Sequence, residues 1–263
     1  MTFSVQPGDG PVILAMPHGG TDMPEALAAR LNANGRALAD TDWHIARLYE
    51  GLLPGATTVQ ATFHRYVIDA NRDPKGQSLY PGQNTTELCP TTDFDGLSIW
   101  QDGQQPGADE IAQRTRDFHA PYHAALAEQV ERVKARHGLA ILYDCHSIRS
   151  EIPFLFNGLL PVFSIGTNSG TTCSQVVVEA TLKPCQSESH VLNGRFKGGW
   201  TTRHYGRPQE NIHAIQMELA QRAYLRAEAA PWTYDTQRAA PLRQTLSQIL
   251  HGLAALTEGI RHE

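Results

Sequence analysis

Residues Pro11–Gly20 read PVILAMPHGG, and residues Leu139–Ser147 read LAILYDCHS. Each is a short apolar run that stops at a polar cluster containing a histidine. Runs of this length bounded by turn residues suit strands buried on both faces, as in the parallel sheets of α/β proteins. Working outward, Asn211–Leu219 (NIHAIQMEL) puts Ile212, Ala214, Gln216 and Glu218 on one side and His213, Ile215, Met217 and Leu219 on the other. That alternation reads as a strand with Glu218 near its end. Thr57–Thr62, Tyr66–Asp69 and Pro161–Ile165 are expected to be further strands.

Helical spacing fills the gaps between these runs. Pro24–Leu31 suits a short helix, and Asp42–Leu53 carries Trp43, Ile45, Leu48, Tyr49 and Leu52 on a helical period with Asp42 near its start. Ile111, Phe118, Tyr122, Leu126, Val130 and Val133 fall on one long helical pattern, which Pro121 is expected to kink or split and Gly138 to stop. Cys173–Leu182 suits another helix, and Leu242, Leu246, Ile249, Leu253 and Leu256 a last one. Strands alternating with helices give an α/β fold with a central, mostly parallel or mixed sheet flanked by helices. No repeat, low-complexity segment or linker divides residues 1–263, so one domain is expected. From Asn71 to Gly107 the chain is rich in Gly, Pro, Asn, Asp and Thr. A loop this long in a compact domain points to a lid or site wall.

Composition excludes several function classes. The formal net charge of −5 supplies no basic excess for a nucleic acid backbone. No apolar run approaches the roughly 20 residues that span a bilayer. The start, Met1 to Val5, lacks the basic-then-apolar pattern of an export signal, so a cytoplasmic protein is expected. Cys89, Cys145, Cys173 and Cys185 form no CxxC pair, and free buried thiols are the expectation. The stretch Gly166–Gly170 lacks the lysine of a phosphate-binding loop, and no GxSxG elbow is present.

Active sites of open α/β sheets collect at the carboxyl ends of strands. His18, the Asp144-Cys145-His146 cluster, Glu218 and the Asp69-Ala70-Asn71-Arg72 segment all fall at such ends. A catalytic zinc takes three protein ligands and leaves a position open. His18 and His146 supply two imidazoles, and Asp42 or Glu25 the carboxylate. The chain is expected to turn at Asp144, which then supports the site from behind the ligands. Glu218 is the candidate for moving a proton from water to a leaving nitrogen, although a solvated strand-end glutamate reads the same way. Arg72 and Asn71 suit a carboxylate, since a guanidinium fork matches two oxygens. Arg149, Arg203 and Tyr205 are further candidates for closing over a substrate. Cys145 beside His146 makes a poor thiol–imidazole pair, because adjacent residues of a strand point opposite ways.

Taken together, MPHGG, DTDWHIARLY, RYVIDANRDP, LYPGQNTTELCPTTDFDG, YDCHSIRSEIPFLF and GRFKGGWTTRHYGRPQENIHAIQMEL resemble the N-formylglutamate amidohydrolases, over about residues 12–224. The resemblance implies hydrolysis of N-formyl-L-glutamate to formate and L-glutamate, the last step of one histidine-degradation route. It also implies kinship with zinc carboxypeptidases and aspartoacylases. His18 and His146 then correspond to two metal ligands, Asn71 and Arg72 to a carboxylate-binding pair, and Glu218 to the general base. The implied cofactor is one divalent ion, zinc, with cobalt or a similar ion as a substitute. The relatives' His-x-x-Glu is missing, since Thr21 follows His18 at that spacing, and Asp42 is favoured over Glu25 as the remaining ligand. Formyl is the smallest acyl group, so a narrow pocket would exclude larger ones. Two substrate carboxylates would account for several arginines. The other readings are a related metal-dependent N-acyl-amino-acid hydrolase or carboxypeptidase, and a carboxylate-binding protein without turnover.

Overall fold

A computed structural model describes residues 1–79 and 81–259. Its centre is a seven-stranded mixed sheet in the order β1-β3-β2-β4-β7-β5-β6. The strands are β1 (Phe3–Gln6), β2 (Val12–Met16), β3 (Thr57–Ala61), β4 (Ala140–Ile148), β5 (Phe163–Gly166), β6 (His190–Leu192) and β7 (Ile212–Ala220). β3, β2, β4 and β7 run parallel, whereas β1 joins β3 and β5 joins β7 antiparallel. The strands read from the two apolar runs and from the alternation at 211–219 lie at the middle: every residue of β2, β4 and β7 is buried. The edge strands β1 and β6 are short and half-exposed, which is why no apolar run announces them.

The helices are α1 (Glu25–Ala28), α2 (Ala33–Arg36), α3 (Ile45–Tyr49), α4 (Ala108–Arg114), α5 (Ala120–His137), α6 (Gln175–Cys185), α7 (Trp200–Tyr205) and α8 (Thr236–Gly259). None of the helices is long and apolar enough to cross a membrane among the described residues. The alternation of side chains along the strands splits the core in two. Leu14, Tyr143, Ile215 and Met217 pack with Leu246, Ile249 and Leu253 of α8 and Val177 of α6. Ile13, Ala15, Leu142 and Ala214 pack on the opposite face with Tyr122, Leu126, Val130 and Val133 of α5. All four cysteines are free and buried.

Three local expectations change, and one is met: the long helix is interrupted near Pro121 and stops at Gly138. The helix read over Asp42–Leu53 is only Ile45–Tyr49, because His44 before it is left-handed at φ 60° and Asp42 stays in a turn. That turn is held by the Asp42 amide donating to the His18 carbonyl at 3.1 Å. Tyr66–Asp69 is not a strand. Its apolar side chains are buried, but the Val67 carbonyl accepts from the Arg114 guanidinium at 2.9 Å and the Asp69 amide donates to Leu88 at 2.7 Å, in place of a ladder. The long helix is split by a π-turn over Thr115–His119, where the Ala120 amide reaches back to the Thr115 carbonyl. Pro121 follows that π-turn at the start of α5, and Gly138 ends that helix at φ 78°.

The chain does not turn at Asp144. β4 runs straight through to Ile148, because β7 is equally long and pairs with it from Ala140↔Ile212 to Ile148↔Ala220. One face of this pair therefore changes character along its length. Leu142 and Ala214 sit over α5, and the next residues on that face are Asp144, His146, Gln216 and Glu218.

Candidate metal centre and substrate pocket

His18 is carried just past the end of β2, where the run of apolar residues stops. His146 projects from β4 beside it, with the two Nδ1 atoms 3.1 Å apart. Asp42 completes the group: its Oδ2 lies 3.3 Å from His146 Nδ1 and 3.9 Å from His18 Nδ1. The same oxygen accepts from the Ser147 amide at 3.1 Å, so both parent strands fix the turn that presents it. Glu25, the competing carboxylate, is exposed on α1.

These distances fit one cation. Ligand atoms about 2.0–2.1 Å from a tetrahedral ion lie roughly 3.3 Å from one another. Two imidazole nitrogens and a carboxylate oxygen are a common donor set for zinc, and the group is fully buried. Each imidazole also has a carboxylate behind it. His18 Nε2 is 2.7 Å from Asp69 Oδ1, and His146 Nε2 is 3.0 Å from Asp144 Oδ2. Such a partner fixes the tautomer with Nδ1 unprotonated; at His18 that nitrogen also meets Arg65 Nη2. Asp144 does this from the same face of β4, two residues from His146.

The electrostatics are strongly perturbed. Burial, reinforced by the Arg65 charge, pushes His18 down to about 4, so its ring is neutral. Burial opposes protonation of His146, but Asp144 and Asp42 together hold its affinity for a proton well above the ordinary value. Burial would raise Asp69, yet Arg72, His18 and Arg65 keep it ionised well below the usual range. Burial pushes Glu218 up to about 8, against the pull of His146 and Arg65.

Glu218 stands directly across from His146 in the β4–β7 register and accepts from Gln216 Nε2 at 3.2 Å. Gln216 Oε1 in turn accepts from the Gly199 amide at 2.7 Å. A pocket opens over this group. Asn71, Arg65, Arg72 and Arg195 supply its polar wall, and Phe94, Ile148, Leu155 and Phe196 its apolar wall. Arg72 is steadied by Nε donating to the Thr86 carbonyl and Nη2 to Thr86 Oγ1, each at 3.0 Å. Asn71 Nδ2 is 3.0 Å from His146 Nε2, and its Oδ1 accepts from the Thr201 amide at 2.8 Å.

The structure therefore brings His18, Asp42, His146, Asn71, Arg72 and Glu218 into one cavity. Arg149, Arg203 and Tyr205 do not line it. Arg149 turns away to Asp95 at 2.8 Å. Arg203 donates to the Gly198 and Leu79 carbonyls at 3.0 and 3.1 Å, and the buried Tyr205 hydroxyl to the His123 carbonyl at 3.0 Å. Their position in conspicuous polar clusters suggested substrate contacts, but Arg149 Nη2 turns to an acidic neighbour, and Arg203 Nε and Nη1 and the Tyr205 hydroxyl to backbone carbonyls. Sequence reasoning missed Arg65, Arg195 and the bridging role of Gln216. Arg65 is buried, touches His18 through Nη2, and has no partner for Nε. A charged residue leading the apolar run YVI was the available signal. Gln216 shared a strand face with Glu218 in the sequence, and Arg195 carried no signal beyond its charge.

Three comparisons with known proteins bear on this arrangement. The profile of the N-formylglutamate amidohydrolase family matches residues 10–225. The chain belongs to this family. It is 44% identical to the N-formylglutamate deformylase of Pseudomonas aeruginosa and 42% identical to that of Pseudomonas putida, each over 257 residues and 96% of both chains. Among solved structures, the N-formylglutamate amidohydrolase from Ralstonia eutropha JMP134 superposes with a TM-score of 0.79 at 24% identity, covering 99% of this chain and 98% of that one. A gene product from Agrobacterium tumefaciens gives 0.72 at 18% identity, covering 97% and 96%. At those identities the superpositions speak for the shared α/β fold. The segments of the amidohydrolase family profile span every residue that lines the pocket.

Proposed function

We propose that this protein hydrolyses N-formyl-L-glutamate to L-glutamate and formate, as a single domain using one divalent ion, zinc, held by His18, Asp42 and His146. The observation that carries the reading is the convergence of that buried trio with Glu218 in a cavity walled by Arg65, Arg72 and Arg195. Two deformylases above 40% identity across nearly the whole chain support the choice of substrate.

When bound, such an ion supplies Lewis acidity and lets water ionise near neutral pH. The protein's own groups do the rest. Arg72 and Asn71 bind a substrate carboxylate and set the formyl carbonyl beside the trio. The Arg65 guanidinium lies close enough to receive the negative charge that grows on the carbonyl oxygen, and its low-dielectric surroundings strengthen that attraction. Glu218, whose proton affinity burial has raised, in its ionised form takes a proton from the attacking water and delivers it to the departing glutamate nitrogen. Gln216 holds the carboxyl of Glu218 in place for both transfers. The apolar wall of Phe94, Ile148, Leu155 and Phe196 keeps bulk water from the reacting atoms. Asp69 and Asp144 keep the two imidazoles turned with Nδ1 inward.

The test is a side-by-side assay of N-formyl-, N-acetyl- and N-carbamoyl-L-glutamate on metal-loaded protein. The formyl compound is expected to turn over fastest. Faster turnover of the acetyl compound would point to a related N-acyl-amino-acid hydrolase, and no turnover of any of them to a carboxylate-binding protein.

A further inference from the structure

A second histidine pair lies outside the metal trio. His119 ends the π-turn and His123 follows four residues later in α5, so both face the same way from that helix. Both are buried, and neither lines the pocket. His119 Nε2 lies 3.0 Å from the Arg72 carbonyl, and His123 Nε2 lies 2.7 Å from the Ala70 carbonyl. A carbonyl only accepts, so each ring carries its hydrogen on Nε2 and donates. Burial lowers the affinity of both rings for a second proton, His123 down to about 3, which makes them neutral donors at pH 7.

These two contacts complete a clamp on one short piece of backbone. The carbonyl between them, that of Asn71, accepts from the Trp200 amide at 3.4 Å and from Arg72 Nη1 at 3.2 Å. Asn71 Oδ1 accepts from the Thr201 amide. The Trp200 ring, at the start of α7, lies 5.3 Å from His119 and 4.6 Å from His123, filling the space between the helices. Tyr205 stacks on His123 as well, with its hydroxyl 3.2 Å from Nδ1. Thus every carbonyl from Ala70 to Arg72 is held from outside the segment, although the segment belongs to no strand or helix. Irregular backbone needs such outside partners if it is to hold one conformation.

We propose that His119 and His123 are positioning residues that fix the Ala70–Arg72 backbone, so that Arg72 and Asn71 are set in advance for a substrate carboxylate. This inference rests on the reading that Arg72 binds that carboxylate. Pre-organisation of this kind is felt in substrate binding, since the fork no longer has to be ordered when the substrate arrives.

The experiment compares His119→Asn with His119→Gln, and His123→Asn with His123→Gln, in the full-length, metal-loaded protein. The glutamine amide nitrogen reaches the place of Nε2, whereas the shorter asparagine amide does not. The polarity of the two substitutions is the same, so a general folding defect would affect both. For N-formyl-L-glutamate the asparagine variants should raise KM about tenfold, the factor that 1.4 kcal/mol represents. Their kcat should stay within about threefold of wild type, and the glutamine variants should recover most of the lost binding. Combining His119→Asn with Arg72→Ala should add little to the Arg72→Ala penalty, because both act on one contact. The proposal is overturned if Arg72→Ala raises KM while the asparagine variants do not. It is equally overturned if asparagine and glutamine lower kcat and thermal stability alike with KM unmoved, or if the penalties add in full. An unchanged KM in Arg72→Ala alone overturns the carboxylate reading beneath the proposal.

Discussion

Replacing Glu218 by glutamine tests the chemistry most directly. The side chain keeps its length and shape, so packing on β7 and the hydrogen bond from Gln216 Nε2, 3.2 Å long, can be retained. What is lost is the ability to gain and release a proton. Glu218 is buried across the ladder from His146, and burial has already raised its proton affinity to about 8, close to working pH. Positioned proton transfer of this kind is worth about 10²–10⁴-fold, or roughly 3–5 kcal/mol on the barrier. Because Glu218 stands outside the His18–Asp42–His146 trio, metal content should not change. The assay is formate release under saturating N-formyl-L-glutamate, with bound metal measured on the same sample and circular dichroism as a check on folding. Glu218→Asp retracts the carboxyl by one methylene and should restore part of the rate. A kcat for Glu218→Gln within tenfold of wild type, at equal metal content, would refute the assignment of proton transfer to this residue.

Other outcomes follow from the same geometry. Chelation should abolish turnover and added zinc or cobalt restore it; Asp42→Ala should lose the ion on dialysis, as read by elemental analysis, while Glu25→Ala keeps it. Gly199→Ala should lower kcat/KM about 10²-fold with the fold retained, because a Cβ there would lie 2.3 Å from Asn71 Nδ2 and displacements of about 1 Å at a site carry such costs. A thermal midpoint depressed in proportion to the activity loss would show instead that the whole fold had given way. Acid stability should depend on His123, whose folded-state value near 3 lies below its ordinary 6.5. Between those limits the unfolded chain binds a proton that the folded chain refuses, so stability is complete above pH 6.5 and falls as pH drops toward 3. The slope from this one group is at most about 1.4 kcal/mol per pH unit. Urea unfolding across that range should show a shallower dependence in His123→Gln, and an identical slope in both proteins would contradict it.

Much of the architecture could be read from local pattern alone. Continuous apolar runs at 12–16 and 140–143 mark central strands, since only strands covered on both faces tolerate them. The alternation at 212–220 correctly put Gln216 and Glu218 on one face. The histidines at the ends of the first two runs, and the family motifs around them, were legible for the same reason: they depend on order along the chain. Tyr66–Asp69 misled because its buried apolar residues look like a strand, while Arg114, 47 residues away from Val67, satisfies its carbonyls.

What the sequence determined by itself was the fold class, the family, and the histidines and glutamate delivered by strand tips. Tertiary structure alone decided that Asp42 and not Glu25 meets them, because the Asp42 amide donates to the His18 carbonyl and the Ser147 backbone amide donates to the Asp42 carboxylate, holding that turn in place. It also decided that Arg149, Arg203 and Tyr205 serve loops and helices, while Arg65 and Arg195 face the cavity. The two kinds of information differ physically. Burial and periodicity are properties of neighbours along the chain, so a short stretch records them. Which donor meets which acceptor depends on strand order and on loops that return from far away: His18 and His146, 128 residues apart, touch only because β2 and β4 are adjacent in the sheet.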